Sequence, residues 1–194
     1  MDKTICVYCA SSQLCDAAYH DAARRLGEIL AERGITIIYG GGGLGSMGAL
    51  ADGALAQGGK IIGVIPSFMM ELEWGHRRLT ELRVVEDMRI RKHTMLSRSH
   101  GVVALPGGSG TLEELIEAIT LKRLGLYVHP IVLVNTRGFF APLIHLLQQA
   151  VAERFMNDQH LNMWQVVATP DEVPAALDAA PPWSAEAREF AAVR

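Results

Sequence analysis

Residues 106–114 read PGGSGTLEE, and these residue types make an electrostatically awkward group. A glycine-rich turn that leaves an apolar strand and opens a helix presents backbone N–H groups to an anion, most often a phosphate. Two carboxylates, Glu113 and Glu114, follow at once. Phosphate and carboxylate repel each other, so a site that only held phosphate would gain nothing from the pair. Gly107, Gly108 and Gly110 let the turn expose its amides, and Thr111 can both cap the helix and offer a hydroxyl to a phosphate. Thr111-x-x-Glu114 is also the pattern of a capping box, and acids in a first helical turn favour the helix dipole. At this level Glu114 is open to two roles, cap or reacting carboxylate. The segment lacks the G-K-[ST] ending of a P-loop, so a nucleoside triphosphate with magnesium is not expected.

A second glycine cluster, YGGGGLGSMG at 39–48, places Gly43, Gly45 and Gly48 in the spacing G-x-G-x-x-G. A dinucleotide site would also need an acidic residue at the end of the next strand to hold a ribose. That strand, KIIGVIP, ends in Pro66 and Ser67, so the glycines are read as letting a helix pack closely on the sheet. Cys6 and Cys9 form C-x-x-C within a strand, where an odd offset puts them on opposite faces. A thioredoxin-type pair would open a helix and a structural zinc would want four ligands. The seven histidines contain no H-E-x-x-H pattern, and neither metal nor cofactor is expected. Between His76 and Arg98 stand Arg77, Arg78, Arg83, Arg89, Arg91 and Lys92 against Glu81, Glu86 and Asp87. Most of these read as a solvated, salt-bridged surface, with one or two cations available to an anion.

The elements that must position these groups follow from hydrophobic periodicity. Strand-like runs recur at 4–9, 35–39, 61–65, 101–105, 130–134 and 165–168, with helical patterns between them. Asp16 caps a first helix whose Ala18, Ala22, Leu26, Ile29 and Leu30 form one stripe, ended by Gly34. Further helices are predicted near 46–57, 86–98, 111–124, 139–154 and 171–178. Continuous apolar strands alternating with helices imply an α/β fold, a Rossmann-like doubly wound parallel β-sheet with helices on both faces. Ligands in such sheets bind beyond the carboxyl ends of the strands, where CASS (9–12), the 40–48 cluster and PGGSGT (106–111) all arrive.

The 194 residues fit a single domain, taken as 1–180, with 181–194 a short extension after Pro181 and Pro182. A net charge of −3 gives no reason to expect a nucleic-acid partner. No apolar run approaches the roughly 18 residues of a membrane span. The opening MDKTICVYCASS has no basic stretch, apolar signal core or small-residue cleavage site, so a cytoplasmic location is expected.

Three stretches together, YGGGGLGSMG (39–48), HRRLTELRVVEDMRIRKHTM (76–95) and PGGSGTLEE (106–114), resemble the LOG family of cytokinin riboside 5′-monophosphate phosphoribohydrolases, often labelled lysine decarboxylases. Met88, Arg91, Lys92 and Met95 fill M-x-x-R-K-x-x-M, and Pro106 to Glu114 fill P-G-G-x-G-T-x-x-E. The resemblance runs from about residue 4 to 155. It implies a homodimer that hydrolyses the N-glycosidic bond of an adenine-type nucleoside 5′-monophosphate, with Arg91 and Glu114 as the catalytic pair. Glu73, Lys92, Gly108, Ser109, Gly110, Thr111 and Thr120 are the implied nucleotide contacts. Ala10, His100, Leu121 and Lys122 depart from the family pattern, the last two at positions able to alter the base pocket or the dimer surface.

Such chemistry would resolve the charge conflict. Breaking a ribosyl C–N bond builds positive charge on the sugar, which a carboxylate stabilises while the glycine turn anchors the 5′-phosphate. A PLP-dependent decarboxylase is not expected, because it needs a Schiff-base lysine and usually a much longer chain. The alternatives are a non-enzymatic carrier of a nucleotide or of the molybdenum cofactor on the same fold, and a general AMP or pyrimidine nucleotide nucleosidase. The apolar run LGLYVHP (124–130) is the sequence feature that favours a homodimer.

Overall fold

The computed structural model describes residues 3–70 and 75–191. Seven strands form one sheet: β1 (Thr4–Tyr8), β2 (Thr36–Tyr39), β3 (Ile61–Pro66), β4 (Glu81–Val85), β5 (Val102–Ala104), β6 (Ile131–Val134) and β7 (Gln165–Val167). Their order is β4-β3-β2-β1-β5-β6-β7, and every pairing is parallel. The helices are α1 (Ala17–Glu32), α2 (Gly45–Ala56), α3 (Met88–Ser97), α4 (Ser109–Arg123), α5 (Ala141–Ala152) and α6 (Val173–Ala179). All six strands read from the sequence are present.

The seventh, β4, is an addition to that reading. ELRVV pairs with β3 at the sheet edge, where Val84 is exposed and Arg83 bonds Glu81, so it lacks the continuous apolar signature of a buried strand.

Alternation along the strands separates two cores. Ile5, Val7 and Cys9 lie with α1, α2 and α6 residues such as Leu26, Leu50 and Leu177. Cys6 and Tyr8 lie with α3, α4 and α5 residues such as Met95, Leu115 and Leu147. The two cysteines therefore occupy opposite faces, as their odd offset requires.

Local chemistry sets the helix ends. Asp16 accepts a hydrogen bond from the Ala18 amide at 2.9 Å, and Gly34 takes the left-handed conformation (φ +67°) just beyond the end of α1. Helices α1 and α2 approach so closely that a Cβ on Gly27 would lie 2.2 Å from the Leu50 carbonyl oxygen. After α6, Trp183 donates to the Lys122 carbonyl at 2.7 Å and Arg123 donates to the Ala191 carbonyl at 2.9 Å. The final described segment is thus fastened to the C-terminal end of α4. Among the described residues no helix is long and apolar enough to cross a membrane.

Candidate active site

Strands β1 and β5 are neighbours whose connections leave in opposite directions across the sheet, and this switch point opens a crevice at their carboxyl ends. A cavity of about 300 Å³ fills it, walled by Ser11 and Ser12 after β1, Gly40 after β2, Arg91 of α3, and Gly108 to Thr111 with Glu114 at the start of α4.

The first turn of α4 sets the chemistry. Its N-cap is Gly108 (φ −81°, ψ −161°), which has no side chain to bond the helix amides. The amides of Ser109, Gly110 and Thr111 have no acceptor within the helix, whereas Leu112 N already donates to Gly108 O at 3.0 Å. This corrects the capping assignment made for Thr111. The extended backbone at Gly108 starts the helix two residues earlier than expected, so Thr111 is its third residue and Glu114 its sixth. A carboxylate in the second turn cannot reach back to an N-cap amide, and the capping-box role of Glu114 is removed. Gly107 must lack a side chain, because a Cβ there would lie 2.2 Å from Thr111 Oγ1. Around Gly108 and Gly110, by contrast, no heavy atom lies within 4 Å of where a Cβ would be.

Arg91 reaches the same space from α3, which Asp87 caps by accepting from the Ile90 amide at 2.7 Å. Its guanidinium is buried and fastened across two strand ends, with Nε donating to Val64 O and Nη2 to Gly40 O, each at 3.0 Å. A side chain on Gly40 would collide with it, the Cβ falling 2.1 Å from Nη2. The remaining Nη1 stands 3.8 Å from Glu114 Oε1, with the two side chains 5% and 9% exposed. Two opposite charges buried at this range require each other, because removing either leaves the other uncompensated. The field of Glu114 is felt beneath it. Burial first, then the carboxylate's charge, push the Cys6 thiol well above its usual range. Burial, Cys6 and Glu114 do the same to the Tyr8 hydroxyl, so both stay protonated in the core shared with α4.

Arg91, Gly108, Ser109, Gly110, Thr111 and Glu114 are therefore brought together. Lys92, one residue on, is rotated about the α3 axis out of this cavity and pairs with Glu113 and with Glu117, the latter at 2.9 Å. The second carboxylate of the PGGSGTLEE stretch is thus engaged in a bridge between α3 and α4. Thr120 lies further along α4, exposed, with its hydroxyl on Ile116 O at 2.8 Å. Glu73 falls outside the described residues. Met47, Met69 and Met88 also line the cavity. Met88 was visible as a motif position, whereas nothing in the sequence marks Met69. A larger cavity of about 720 Å³ by Gly43, His76 and Leu82 contains none of the candidate residues that lie among the described ones. Among the described residues, no group of three His, Cys, Asp or Glu is placed to hold a metal ion.

A parallel sheet wound in both directions, with an uncapped glycine-led helix at its switch point, defines a Rossmann-like α/β protein with a crevice site. Solved structures agree on that fold. The molybdenum cofactor carrier protein of Chlamydomonas reinhardtii superposes with a TM-score of 0.69 at 22% identity, over 92% of this chain and 97% of its own. The molybdenum cofactor binding protein of Rippkaea orientalis gives 0.70 at 22%, over 92% and 97%. Residues 47–177 match the family described as "Possible lysine decarboxylase". A rice relative, the probable cytokinin riboside 5′-monophosphate phosphoribohydrolase LOGL6, is 38% identical over 93% of this chain and 72% of its own. The rice enzyme LOG is 43% identical over 79% and 64%, and LOG3 of Arabidopsis thaliana 41% identical over 80% and 72%. The chain belongs to the LOG family.

Proposed function

We propose that the protein is a phosphoribohydrolase that cleaves the N-glycosidic bond of adenine-type nucleoside 5′-monophosphates, cytokinin riboside 5′-monophosphate or AMP, to free base and ribose 5-phosphate. The observation that carries this reading is the buried Arg91–Glu114 pair facing the three unbonded amides of α4 across one cavity. The amides and the dipole of α4 hold the 5′-phosphate, with the Thr111 hydroxyl beside them. With the phosphate fixed, the ribose is held against Glu114, whose carboxylate faces the charge that develops as the C–N bond lengthens. The same carboxylate orients and deprotonates the attacking water. Arg91 balances the crowded anions, and its Nη1, on the side of the guanidinium that faces Glu114, hydrogen-bonds the departing base or the phosphate. Lys92 acts indirectly in this reading, since its bridge to Glu113 and Glu117 fixes α3 against α4 and so sets the Arg91–Glu114 separation. Glu73 and Thr120 are retained as nucleotide contacts on the family motif alone.

The names of the LOG relatives support the substrate class. The carrier reading rests on fold likeness at 22% identity and assigns no task to a buried carboxylate beside a phosphate cradle. We further propose a homodimer in the cytoplasm. The dimer is supported by Leu124, Leu126 and Val128, exposed in the loop after α4, and by exposed Ile116 on α4. Light scattering should give twice the 21.1 kDa of the chain, and a monomer at micromolar concentration would exclude the dimer.

The functional test is incubation of the purified protein with AMP, isopentenyladenosine monophosphate, CMP and GMP, with free base measured by chromatography. Base release from the adenine nucleotides is expected. No release from any of the four, together with tight binding of a pterin-type ligand, would establish the carrier instead.

A further inference from the structure

Residues 40–43 are four glycines in a row, and they run between two cavities, Gly40 walling the nucleotide cavity and Gly43 the larger one of about 720 Å³. Glycines have no side chains to pack, so the stretch keeps its place chiefly through what its backbone bonds. Gly40 O accepts from Arg91 Nη2, Gly41 O from the His76 amide and Gly42 O from the Tyr39 hydroxyl, each at 3.0 Å. Gly42 also makes an isolated antiparallel bridge with Gly75. Arg91 and His76 therefore hold adjacent carbonyls of one run that has no packing of its own.

His76 is anchored in turn. Its Nδ1 accepts from the Arg78 amide at 3.2 Å, so Nε2 carries the ring hydrogen and donates it to Asp52 Oδ1 of α2 at 3.3 Å. Arg78 reaches the same oxygen at 2.7 Å, but its side chain is 72% exposed against 8% for His76. Water screens the exposed pair, so the buried imidazole is the firmer tie to α2. A chain of contacts then runs from α2 to the reacting pair: Asp52, His76, Gly41, Gly40, Arg91 and, 3.8 Å beyond Nη1, Glu114.

We propose that His76 is a positioning residue: held by Asp52, it fixes the carbonyls of Gly40 and Gly41 and so aims Arg91 Nη1 at Glu114. This role rests on the phosphoribohydrolase reading, which gives the aimed guanidinium its task. A guanidinium is planar, and the bonds from Nε to Val64 O and from Nη2 to Gly40 O fix its plane. When Gly40 O shifts, the group turns about the bond that is left, and Nη1 swings away from Glu114 and the nucleotide. The amides of Ser109, Gly110 and Thr111 belong to α4, outside this chain of contacts, so the phosphate keeps its cradle. The loss falls on the transition state and spares binding.

The test compares kcat and KM for isopentenyladenosine monophosphate and AMP, with free base measured by chromatography, in the parent, His76→Ala, His76→Gln, Asp52→Ala and the double alanine variant. Each single alanine variant should lose about tenfold or more in kcat, with KM within about twofold of the parent. Glutamine places an amide N–H near the position of Nε2 and should recover about half of the parental kcat or more. The double variant should lose no more than either single one, because both cut the same chain. Parental kcat in a folded alanine variant, a loss confined to KM, no recovery in His76→Gln, or additive losses would each overturn the role. If His76→Ala does not fold, Asp52→Ala, which removes a partly exposed carboxylate, decides alone. A second readout does not depend on turnover. Hydrogen exchange at Arg91 Nε, followed by NMR and assigned by the signal lost in Arg91→Lys, should quicken about tenfold in the alanine variants, and an unchanged rate overturns the positioning. A parent that releases no base from either nucleotide sinks the phosphoribohydrolase reading, while the exchange rate still decides whether His76 holds Arg91.

Discussion

The two glycine clusters at the mouth of the sheet look alike in sequence and are built for opposite purposes. Around 40–48 the glycines answer to their own protein. A Cβ on Gly48 would lie 2.3 Å from the Gly43 carbonyl oxygen, and one on Gly45 2.4 Å from the Ser12 carbonyl oxygen. The Met47 amide, in the first turn of α2, is taken up by Ala10 O at 3.0 Å. Around 106–111 only Gly107 is so constrained. Gly108 and Gly110 face open space, and the first amides of α4 point into it. Glycine thus serves packing in the first cluster and access in the second, a difference that spacing of glycines does not reveal and that an added Cβ does.

That contrast can be broken most severely at Glu114, the carboxylate set against the open amides. Glu114→Gln keeps size and helix propensity and removes the charge. With no cap to lose, its unfolding midpoint should stay near that of the parent, while turnover falls on the order of a hundredfold or more. Near-parental base release would remove Glu114 from the chemistry.

A smaller effect separates the two clusters directly. Gly110→Ala meets no atom, so stability should hold while nucleotide affinity, read by calorimetry, drops about tenfold as the Cβ enters the phosphate cradle. Gly48→Ala should do the reverse, costing about 1–3 kcal/mol in denaturant melts through its clash with Gly43. Matching profiles for the two variants would erase the distinction.

Smaller still is the consequence of burial at the other end of α4. Lys122 donates to the His129 carbonyl at 2.8 Å, and burial lowers its amine from 10.5 to about 8. Between those values the unfolded chain holds the proton and the folded chain does not, so stability rises with pH across that window. Below pH 8 the cost of the buried charge is present in full. Comparing thermal melts of parent and Lys122→Met from pH 7 to 10.5 should show the parent gaining a few degrees on the variant as pH rises, and parallel curves would contradict this. The least effect is expected from metal removal. If amides and cations hold the phosphate, turnover in excess EDTA should equal that without it, and activity restored by zinc or magnesium would refute that account.

Sequence and structure diverge where neighbours in the chain are not neighbours in space. Continuous apolar runs marked six strands because a strand buried on both faces has no polar alternation. ELRVV hid within a charged stretch because an edge strand can carry Arg83 and Glu81. Thr111 and Glu114 imitated a capping box, and only the extended Gly108 backbone shows that the helix has already begun. Arg91 and Lys92 are adjacent cations on one helix, and packing against Val64 and Gly40 decides which of them turns inward. Ser11 and Met69 come to the cavity from separate loops, a convergence no local pattern records.

The order β4-β3-β2-β1-β5-β6-β7 also carries a consequence for synthesis. β1 precedes the other six strands of the sheet in the chain, yet it ends at the centre of the sheet. Its edge toward β2 pairs as soon as Thr36–Tyr39 follow, whereas the opposite edge waits for Val102–Ala104. Until then the nascent protein is half a sheet with an apolar strand edge on display, the kind of surface that recruits other chains. The strand that covers it leads straight into the glycine turn and Glu114. A chain stalled before β5 is therefore both sticky and inert, and the step that makes it safe to release is the step that assembles the site.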